Sequence, residues 1–337
     1  MSVLAKGIVS HKKIRVAVIG VGDFGRNHVR VYRELEEAEL VGVVDSNAER
    51  ASAIAADFNT EVLPSIESLA GRVDAVSLAV PTIAHAQLGC RLLEQGIDVL
   101  VEKPMAASVA EADQLIAAAA KNSRVLQVGH LERFNPAIVA VQPLVTRPLF
   151  FEVHRLGVFS PRSLDVDVVY DVMIHDLDIL LALVDSPVKE VKSVGIPILT
   201  ERVDIAHARI EFETGAVANV TASRVSTERV RKMRFFQAHE YISVDYARRD
   251  ALRVRVATPA RDGKQPEFEF EKLEAKPEEP LHAELSAFVN AVRTRRVPRV
   301  DGAAGRRALA LADRVMAGIL DHARSVQLGD VPPKAPR

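Results

Sequence analysis

The 337-residue chain is short of cysteine, tryptophan and net charge. Its single cysteine, Cys90, excludes an intramolecular disulfide framework and any multi-cysteine metal site, which fits a reducing compartment. The 44 basic and 45 acidic residues leave a net charge of −1, so bulk electrostatics favours neither nucleic acid nor an anionic membrane surface as a partner. Local basic clusters remain able to bind a phosphorylated small molecule.

Long apolar runs are also missing. No stretch approaches the length needed to span a bilayer, and residues 1–13 have no apolar core of signal-peptide length. The hydrophobic fraction of 48% and the charged fraction of 26% are ordinary for a globular protein, and the length suits two domains. We therefore expect a cytoplasmic globular protein without a membrane segment.

The sequence does contain a glycine-rich turn between a short apolar run and a helical pattern. Ile14–Ile19 reads as a strand, and the helical pattern continues through Leu35. The turn between them is Gly20-Val21-Gly22-Asp23-Phe24-Gly25. Such glycines allow a tight turn, close approach of the backbone to a pyrophosphate, and close packing of helix on strand. Glycine turns also join many strands to helices without binding a ligand, so the context must decide.

That context includes an acidic residue at the end of the second predicted strand. Asp45 follows Gly25 by 20 residues, a spacing at which an acid accepts hydrogen bonds from adenosine ribose hydroxyls and repels a 2′-phosphate. The pattern therefore favours NAD over NADP. Asp45 can also be read as a strand-end acid that starts a turn, and Arg50 in the same loop could accommodate a phosphate.

Strands and helices alternate through residue 130, which predicts a doubly wound parallel sheet of the Rossmann type over residues 14–130. Ligands bind such sheets at the carboxyl ends of the strands. The residues predicted at that edge are Gly20 to Gly25, Asp45, Pro81, Thr82, Glu102, Lys103, Gly129 and His130. His85, near the start of a helix, is read either as a polar surface residue or as a cofactor contact.

The fifth strand ends in Glu102, Lys103 and Pro104, an abrupt change from apolar to charged residues. Charged residues at a strand end are usually just solvent-exposed. At the carboxyl edge of a parallel sheet, however, they would place an amine and a carboxylate beside the ligand. We therefore favour Lys103 for proton transfer and give Glu102 a supporting role.

Residues 168–184 form a predicted helix with a polar stripe. Asp171, His175 and Asp178 recur at i, i+4 and i+7, and an acid one turn before a histidine can orient the imidazole and raise its pKa. A solvated helix face with no function is the alternative. A metal site using His175, Asp176 and Asp178 is disfavoured, because Asp176 lies on another face and no second histidine follows at i+4.

The rest of the chain predicts an α+β domain over residues 131–324 with a mostly antiparallel open sheet, followed by a loose tail over 325–337. Six predicted strands lie between residues 190 and 257, after an earlier one at 149–156, and helices are predicted over 281–294 and 303–323. Helices on one face of this sheet would leave its other face for self-association, as a homodimer or homotetramer.

Taken together, these motifs resemble the Gfo/Idh/MocA family of NAD(P)-dependent oxidoreductases, from Ile14 to about His322. The resemblance implies that Lys103 and His175 flank the hydroxyl of a sugar or cyclitol above the nicotinamide, and that one of them is the general base. Asp171 would orient His175 or hold a neighbouring hydroxyl. The implied cofactor is NAD, held by the glycine turn, Asp45, Pro81, Thr82, His85, Glu102 and Lys103.

The segment from Gly129 to Pro136 resembles family members that act on nucleotide sugars, in particular those that oxidise UDP-N-acetylglucosamine for diamino-sugar and lipid A synthesis. In this reading His130 and Asn135 contact the substrate, and Arg133, Arg155 and Arg162 could hold its diphosphate. Two alternatives remain open at this point. One is a free-sugar or inositol dehydrogenase, and the other is a non-catalytic NAD-binding sensor.

Overall fold

The computed structural model describes residues 12–159, 166–258 and 265–326. Its first sheet has six parallel strands in the order β3-β2-β1-β4-β5-β6. They are β1 (Ile14–Ile19), β2 (Ala38–Val44), β3 (Glu61–Val62), β4 (Ala75–Leu78), β5 (Asp98–Glu102) and β6 (Leu126–Gly129). The order reverses between β1 and β4, which is where a doubly wound sheet opens a crevice for a ligand. The predicted parallel sheet is confirmed.

Four helices connect these strands: α1 (Asp23–Glu34), α2 (Ala48–Asp57), α3 (His85–Glu94) and α4 (Val109–Lys121). The side chain of Asn47 caps α2 by accepting from Arg50 N, and Ser108 caps α4 by accepting from Glu111 N. The first helix, α1, has no side-chain cap. No N-cap side chain therefore accepts from the N–H groups at the start of this helix.

The second sheet has eight strands in the order β14-β13-β12-β11-β7-β10-β9-β8. They are β7 (Phe150–Leu156), β8 (Val188–Ile196), β9 (Ile205–Phe212), β10 (Val217–Ser223), β11 (Val230–Gln237), β12 (Glu240–Asp245), β13 (Asp250–Thr258) and β14 (Glu267–Leu273). Every neighbouring pair is antiparallel except β7 and β10, which run parallel. The prediction of a mostly antiparallel sheet is confirmed.

The remaining helices are α5 (Pro136–Val141), α6 (Ile174–Leu183), α7 (Pro280–Thr294) and α8 (Gly302–Ser325). Two of them return to the first sheet. Helix α7 packs on α1, with Phe288 and Val289 in the same apolar cluster as Val16 and Leu100, and α8 packs on α4 and β6 as well as on α6 and β8. This packing brings the second half of the chain over the carboxyl edge of the first sheet. No helix among the described residues is long and apolar enough to cross a membrane.

Local structure departs from a regular alternation of strands and helices in three places. The connection between β3 and β4 contains a short 3₁₀ turn, Ile66–Leu69, and a second 3₁₀ turn, Leu131–Phe134, precedes α5. Strand β14 was not predicted; it lies at an edge of the sheet, and its side chains are mostly exposed, including Phe268 and Phe270, which alternate with glutamates. Arg162 and nearly all of the predicted tail lie outside the described residues.

Candidate active site

The glycine turn is shaped as a pyrophosphate site requires. Gly20 has φ +82°, and a Cβ on Gly25 would lie 1.8 Å from the Gly20 carbonyl oxygen, so neither position accepts a side chain. A Cβ on Gly22 would meet no atom within 4 Å. The space in front of Gly22 is therefore open, and it lies beside the start of α1 at Asp23 and Phe24, which has no side-chain cap. This arrangement fits the close approach of an anionic group to backbone N–H donors.

Asp45 lies directly beside this turn. Its carboxylate accepts hydrogen bonds from Val21 N at 2.8 Å, from Asn47 N at 2.8 Å and from Arg50 Nη2 at 2.8 Å. Partial burial raises the pKa of Asp45, but the hydrogen bonds from Arg50, Asn47 and Val21 outweigh it and leave the pKa below its ordinary value. The strand-end acid is therefore ionised where the adenosine ribose is expected, and Arg50 is already engaged with it.

Pro81 and Thr82 stand at the end of the next strand, and His85 lies beneath them rather than at the cleft. His85 is buried, with Nε2 2.9 Å from the Val80 carbonyl oxygen and Nδ1 2.9 Å from that of Pro104. Both ring nitrogens are thus occupied by the protein's own backbone. The prediction of a direct cofactor contact is wrong, because this histidine ties the loop after β4 to the loop after β5.

Glu102 forms a buried pair that the sequence analysis missed. His28 of α1 places Nε2 3.1 Å from Glu102 Oε1. Burial raises the pKa of Glu102, but the hydrogen bond to His28 and the nearby charges of His28, Lys103 and His85 together outweigh burial, so the pKa is lowered. Glu284 of α7 is also fully buried beside the cavity, and burial raises its pKa well above the ordinary value. A histidine three positions after Gly25, on the helix that the turn opens, was the one available signal for the pair.

Lys103 bridges the two halves of the chain. Its Nζ donates to the Asp171 carbonyl oxygen at 2.7 Å and to Asp171 Oδ1 at 3.2 Å, and its side chain is only 9% exposed. Asp171 belongs to a π-helical turn, Val169–Met173, that precedes α6. The turn directs the Asp171 carboxylate at Lys103. The structure therefore brings together the amine and the acid that the sequence analysis placed in different domains.

His175 faces the same cavity but has no carboxylate partner among the described residues. Its Nδ1 is buried without a hydrogen bond, whereas Nε2 is not enclosed, and its ring lies 6.5 Å from that of His130. Burial lowers the pKa of His175 well below its ordinary value, and the nearby charges of Lys103 and Arg155 lower it further. The prediction that Asp171 raises this pKa is wrong, because the π turn takes the carboxylate to Lys103 instead.

The two described arginines predicted for a diphosphate are both paired inside the protein. Arg155 holds Asp176 with Nε 2.7 Å and Nη2 2.8 Å from its carboxylate oxygens, and Nη1 lies 2.8 Å from Glu132 Oε1. Arg133 Nη1 lies 3.4 Å from Asp178 Oδ1. Their charges are compensated, so neither is available as predicted. This pairing also explains why Asp176 points away from His175.

Asn135 and His130 are likewise structural. Asn135 is 3% exposed, its Oδ1 accepts from Ala137 N, and its Nδ2 donates to Glu132 Oε2 and to the Tyr246 carbonyl oxygen. It caps α5 and has no group left for a substrate. His130 is buried beneath His175, and burial lowers its pKa. A direct substrate contact by either residue is therefore corrected to a supporting position.

A cavity of about 650 Å³ joins these groups. Its lining includes Phe24 and His28 from α1, Glu102 and Lys103 from the end of β5, and Asp171 and His175 from the second half of the chain. Among the described residues no cluster of His, Cys, Asp and Glu suits a metal ion. A nucleotide-binding turn that opens beside an amine and a neutral imidazole defines a nicotinamide-dependent oxidoreductase acting on an alcohol or ketone.

Comparison with known proteins supports the same class. Residues 14–130 match the GFO_IDH_MocA model, described as an oxidoreductase family with an NAD-binding Rossmann fold, and residues 154–239 match the GFO/IDH/MocA C-terminal domain. The chain belongs to the Gfo/Idh/MocA family of oxidoreductases. The expected resemblance and the expected NAD-binding domain are thereby confirmed.

Among the similar proteins is the UDP-N-acetylglucosamine 3-dehydrogenase of Acidithiobacillus ferrooxidans, 38% identical over 91% of this chain and 97% of that protein. A solved structure of that enzyme superposes with a TM-score of 0.86, covering 92% of this chain and 98% of the other. Inositol 2-dehydrogenase 4 of Saccharopolyspora erythraea is 32% identical over 50% of this chain and 54% of that protein. Levoglucosan dehydrogenase in complex with NADH and levoglucosan shares the fold, with a TM-score of 0.82 at 18% identity.

Proposed function

We propose that this protein uses NAD to oxidise the 3-hydroxyl of UDP-N-acetylglucosamine to a ketone. The observation that carries the reaction type is the placement of Lys103 Nζ and His175 in one cavity beside the glycine turn. The choice of substrate rests on the 38% identical relative, whose length this chain covers almost completely. NAD, when bound at the glycine turn, supplies the acceptor for the hydride.

Lys103 would hold the oxygen of the reacting hydroxyl. As an ammonium it donates to both acceptors of Asp171, which fixes its position and leaves one N–H for a ligand in the cavity. A positive charge at that point stabilises the negative charge that develops on the oxygen as its proton leaves. Lys103 is in this proposal an electrostatic and positioning group at the reacting oxygen.

His175 would accept the proton. Its lowered pKa keeps the imidazole neutral at neutral pH, and Nε2 is the nitrogen that can reach a ligand. Lys103, in contrast, is held by Asp171, with Nζ 3.2 Å from Asp171 Oδ1. These two environments support His175 as the proton acceptor in place of Lys103, which the sequence analysis favoured for proton transfer.

The test is a spectrophotometric assay of NADH formation with UDP-N-acetylglucosamine and NAD, with an aminotransferase present to remove the ketone. We expect NADH to accumulate with the nucleotide sugar. No NADH under these conditions would contradict the proposal, and turnover of a free sugar or of inositol without any nucleotide would support the other dehydrogenase reading. A Lys103→Ala variant should still bind NADH and lose turnover, which a non-catalytic sensor would not require.

Three finer parts belong to the same proposal. The 3-keto sugar would be aminated for diamino-sugar and lipid A synthesis, the protein would act in the cytoplasm, and it would form a homodimer or homotetramer. Exposed apolar side chains on the second sheet, including Val194 and Leu252, support self-association. Light scattering after size-exclusion chromatography checks the last point, and a monomer at micromolar concentration would contradict it.

A further inference from the structure

The cavity wall formed by the second sheet carries a cluster of arginines. Those that line it are Arg155, Arg224, Arg229, Arg231 and Arg249. Two of them have acidic partners: Arg155 holds Asp176 and Glu132, and Arg224 lies 3.7 Å from Asp204. Within the described ranges, no carboxylate lies within 4 Å of Arg229, Arg231 or Arg249. We call these three residues the arginine rim.

The register of the second sheet places the positive charge of Arg231 next to another positive charge. In the antiparallel pair of β7 and β11, Arg231 stands directly opposite Arg155. Like charges at such a position destabilise a sheet, and the two carboxylates nearby are already taken by Arg155. The charge of Arg231 reaches into the site, since it contributes to the lowered pKa of His175. An anionic ligand in the cavity would offset this repulsion.

The turn between β12 and β13 brings Arg249 to the same end of the sheet. Tyr246 N donates to the Arg231 carbonyl oxygen at 2.9 Å, which joins this turn to the start of β11. Arg249 has φ +57°, a conformation that costs a non-glycine residue free energy. Neighbouring Lys232 and Arg248 share the carboxylate of Asp245 at 3.9 Å each, and neither lines the cavity. The turn therefore separates paired surface cations from an unpaired one that faces the site.

No acidic side chain of the described cavity lining is free to neutralise the rim. Glu102 is paired with His28, Asp171 with Lys103, and Glu279 with Arg30. Glu132 is paired with Arg155, and burial raises the pKa of Glu284 well above its ordinary value, which disfavours a negative charge there. The cavity thus has an excess of positive charge, and this excess lies on the second sheet, away from the glycine turn.

We propose that Arg229, Arg231 and Arg249 bind the diphosphate of a nucleotide-linked substrate and thereby select it over a free sugar. Guanidinium groups suit this task because their planar forks match phosphate oxygens. A dinucleotide already has a pyrophosphate site at the glycine turn on the other sheet, so the rim serves a second diphosphate. The inference deepens the proposed function and rests on it for the position of the sugar between Lys103 and His175.

The test is a calorimetric titration of UDP into protein saturated with NADH, which fills the dinucleotide site first. Wild-type protein should bind UDP, and the double variant Arg231→Ala/Arg249→Ala should bind it about 100-fold more weakly, about tenfold for each charged contact. NADH affinity should stay within about twofold, because the glycine turn is unchanged. The matched controls Lys232→Ala and Arg248→Ala each remove a neighbouring cation that does not line the cavity, and they should bind UDP as wild type does.

Three outcomes would overturn the inference: no binding of UDP by wild-type protein, equal binding by the double variant, or a parallel loss of NADH affinity that assigns the arginines to the dinucleotide. Arg231→Gln and Arg229→Gln, which keep polar side chains, repeat the measurement if the double variant does not fold. The proposed function fails separately. A protein that binds UDP through the rim but forms no NADH contradicts the oxidation alone, whereas turnover with an unchanged KM in the double variant contradicts the rim alone.

Discussion

The two sheets contribute to the cavity in different ways. The first sheet supplies backbone: a glycine turn, an uncapped helix start and one ionised carboxylate, Asp45, held by hydrogen bonds from the loop around it. The second half of the chain supplies side chains: the imidazole of His175, the carboxylate of Asp171 and the arginine rim. Lys103 connects the two halves, since it directly follows β5 of the first sheet and donates to the Asp171 carbonyl oxygen in the second half.

This difference teaches how each half obtains its specificity. A backbone site holds the pyrophosphate that all dinucleotides share, and it depends on which positions lack a side chain. A side-chain site is defined by charge and by proton affinity, which depend on burial and on neighbours from distant parts of the chain. We therefore expect substitutions in the second half to alter turnover and substrate choice, and substitutions in the first to alter dinucleotide binding.

The largest effect should come from His175→Gln. Removing the proton acceptor should lower kcat about 10²- to 10⁴-fold, because a general base contributes acceleration of that order. NADH affinity, measured by fluorescence titration, should be unchanged because the glycine turn is intact. The control His282→Gln alters a partly exposed histidine of α7 and should leave kcat as in wild type. Retention of kcat in His175→Gln would mean that another group takes the proton.

The pH profile of wild-type protein sharpens this prediction. Because burial lowers the pKa of His175, the imidazole stays neutral as pH falls through 6.5, the ordinary histidine value. The acid limb of kcat/KM should therefore lie below pH 6.5. The unfolded chain takes up this proton first, so the free energy of unfolding should fall below pH 6.5, more steeply in wild type than in His175→Gln. An acid limb above pH 6.5 would contradict the assignment.

On the other side of the comparison, Gly25→Ala should break the backbone site. Its Cβ would lie 1.8 Å from the Gly20 carbonyl oxygen, which is backbone and cannot move aside, so we expect a loss of about 3 kcal/mol in the free energy of unfolding and no measurable NADH binding. Gly22→Ala is the matched control for stability, since its Cβ meets no atom within 4 Å of its own chain.

Gly22→Ala should unfold within about 0.5 kcal/mol of wild type and still bind NADH more weakly, because the added methyl group occupies the space expected for the pyrophosphate. Chemical denaturation and NADH fluorescence measure the two effects separately. Equal destabilisation by the two alanines would show that the turn is merely close-packed and would remove the argument for open space in front of Gly22.

His85→Phe should have a smaller effect. It should lower both the stability of the first half of the chain and the turnover of the site that the two halves share. The change removes the imidazole N–H that donates to one of the two facing carbonyl oxygens, those of Val80 and Pro104, at a cost of about 1–3 kcal/mol in unfolding free energy. The loop that follows Lys103 would lose its anchor, so kcat should also fall, although His85 touches no ligand. A stability loss with unchanged kcat would limit His85 to a structural role.

The site residues that the sequence predicted correctly also differ between the first sheet and the second half of the chain. The carboxyl ends of parallel strands meet at one edge, so chain order alone brings the glycine turn, Asp45 and Lys103 together. The pair of His28 and Glu102 was missed, because the sequence shows a histidine on the first helix but nothing that links it to a strand end 74 positions away. Helical periodicity also misplaced Asp171, since a π turn changes the direction of its side chain and leaves no signal in the pattern.

Register explains most of what was missed in the second half. The sequence analysis selected Arg133, Arg155 and Arg162 for a diphosphate. The first two lie beside acids that only folding brings near, and Arg162 lies outside the described residues. Arg231 enters the site because β7 pairs with β11 on one side and runs parallel to β10 on the other, an order that hairpin patterns do not predict. In our proposal, the side chains that bind the substrate therefore have neighbours that only non-local strand pairing brings close.

The smallest expected effect tests whether a side chain of the first sheet also contributes to the choice between NAD and NADP. Asp45→Ala removes the acid beside the glycine turn and releases Arg50, which now donates to both of its oxygens. A 2′-phosphate would then meet a free guanidinium in place of a carboxylate, so the ratio of NAD to NADP activity should fall about tenfold or more. Arg50→Ala is the matched control, because it keeps the acid and should leave NAD preferred. If Asp45→Ala and wild type prefer NAD equally, dinucleotide choice lies in the backbone alone, and the contrast between the two sheets is complete.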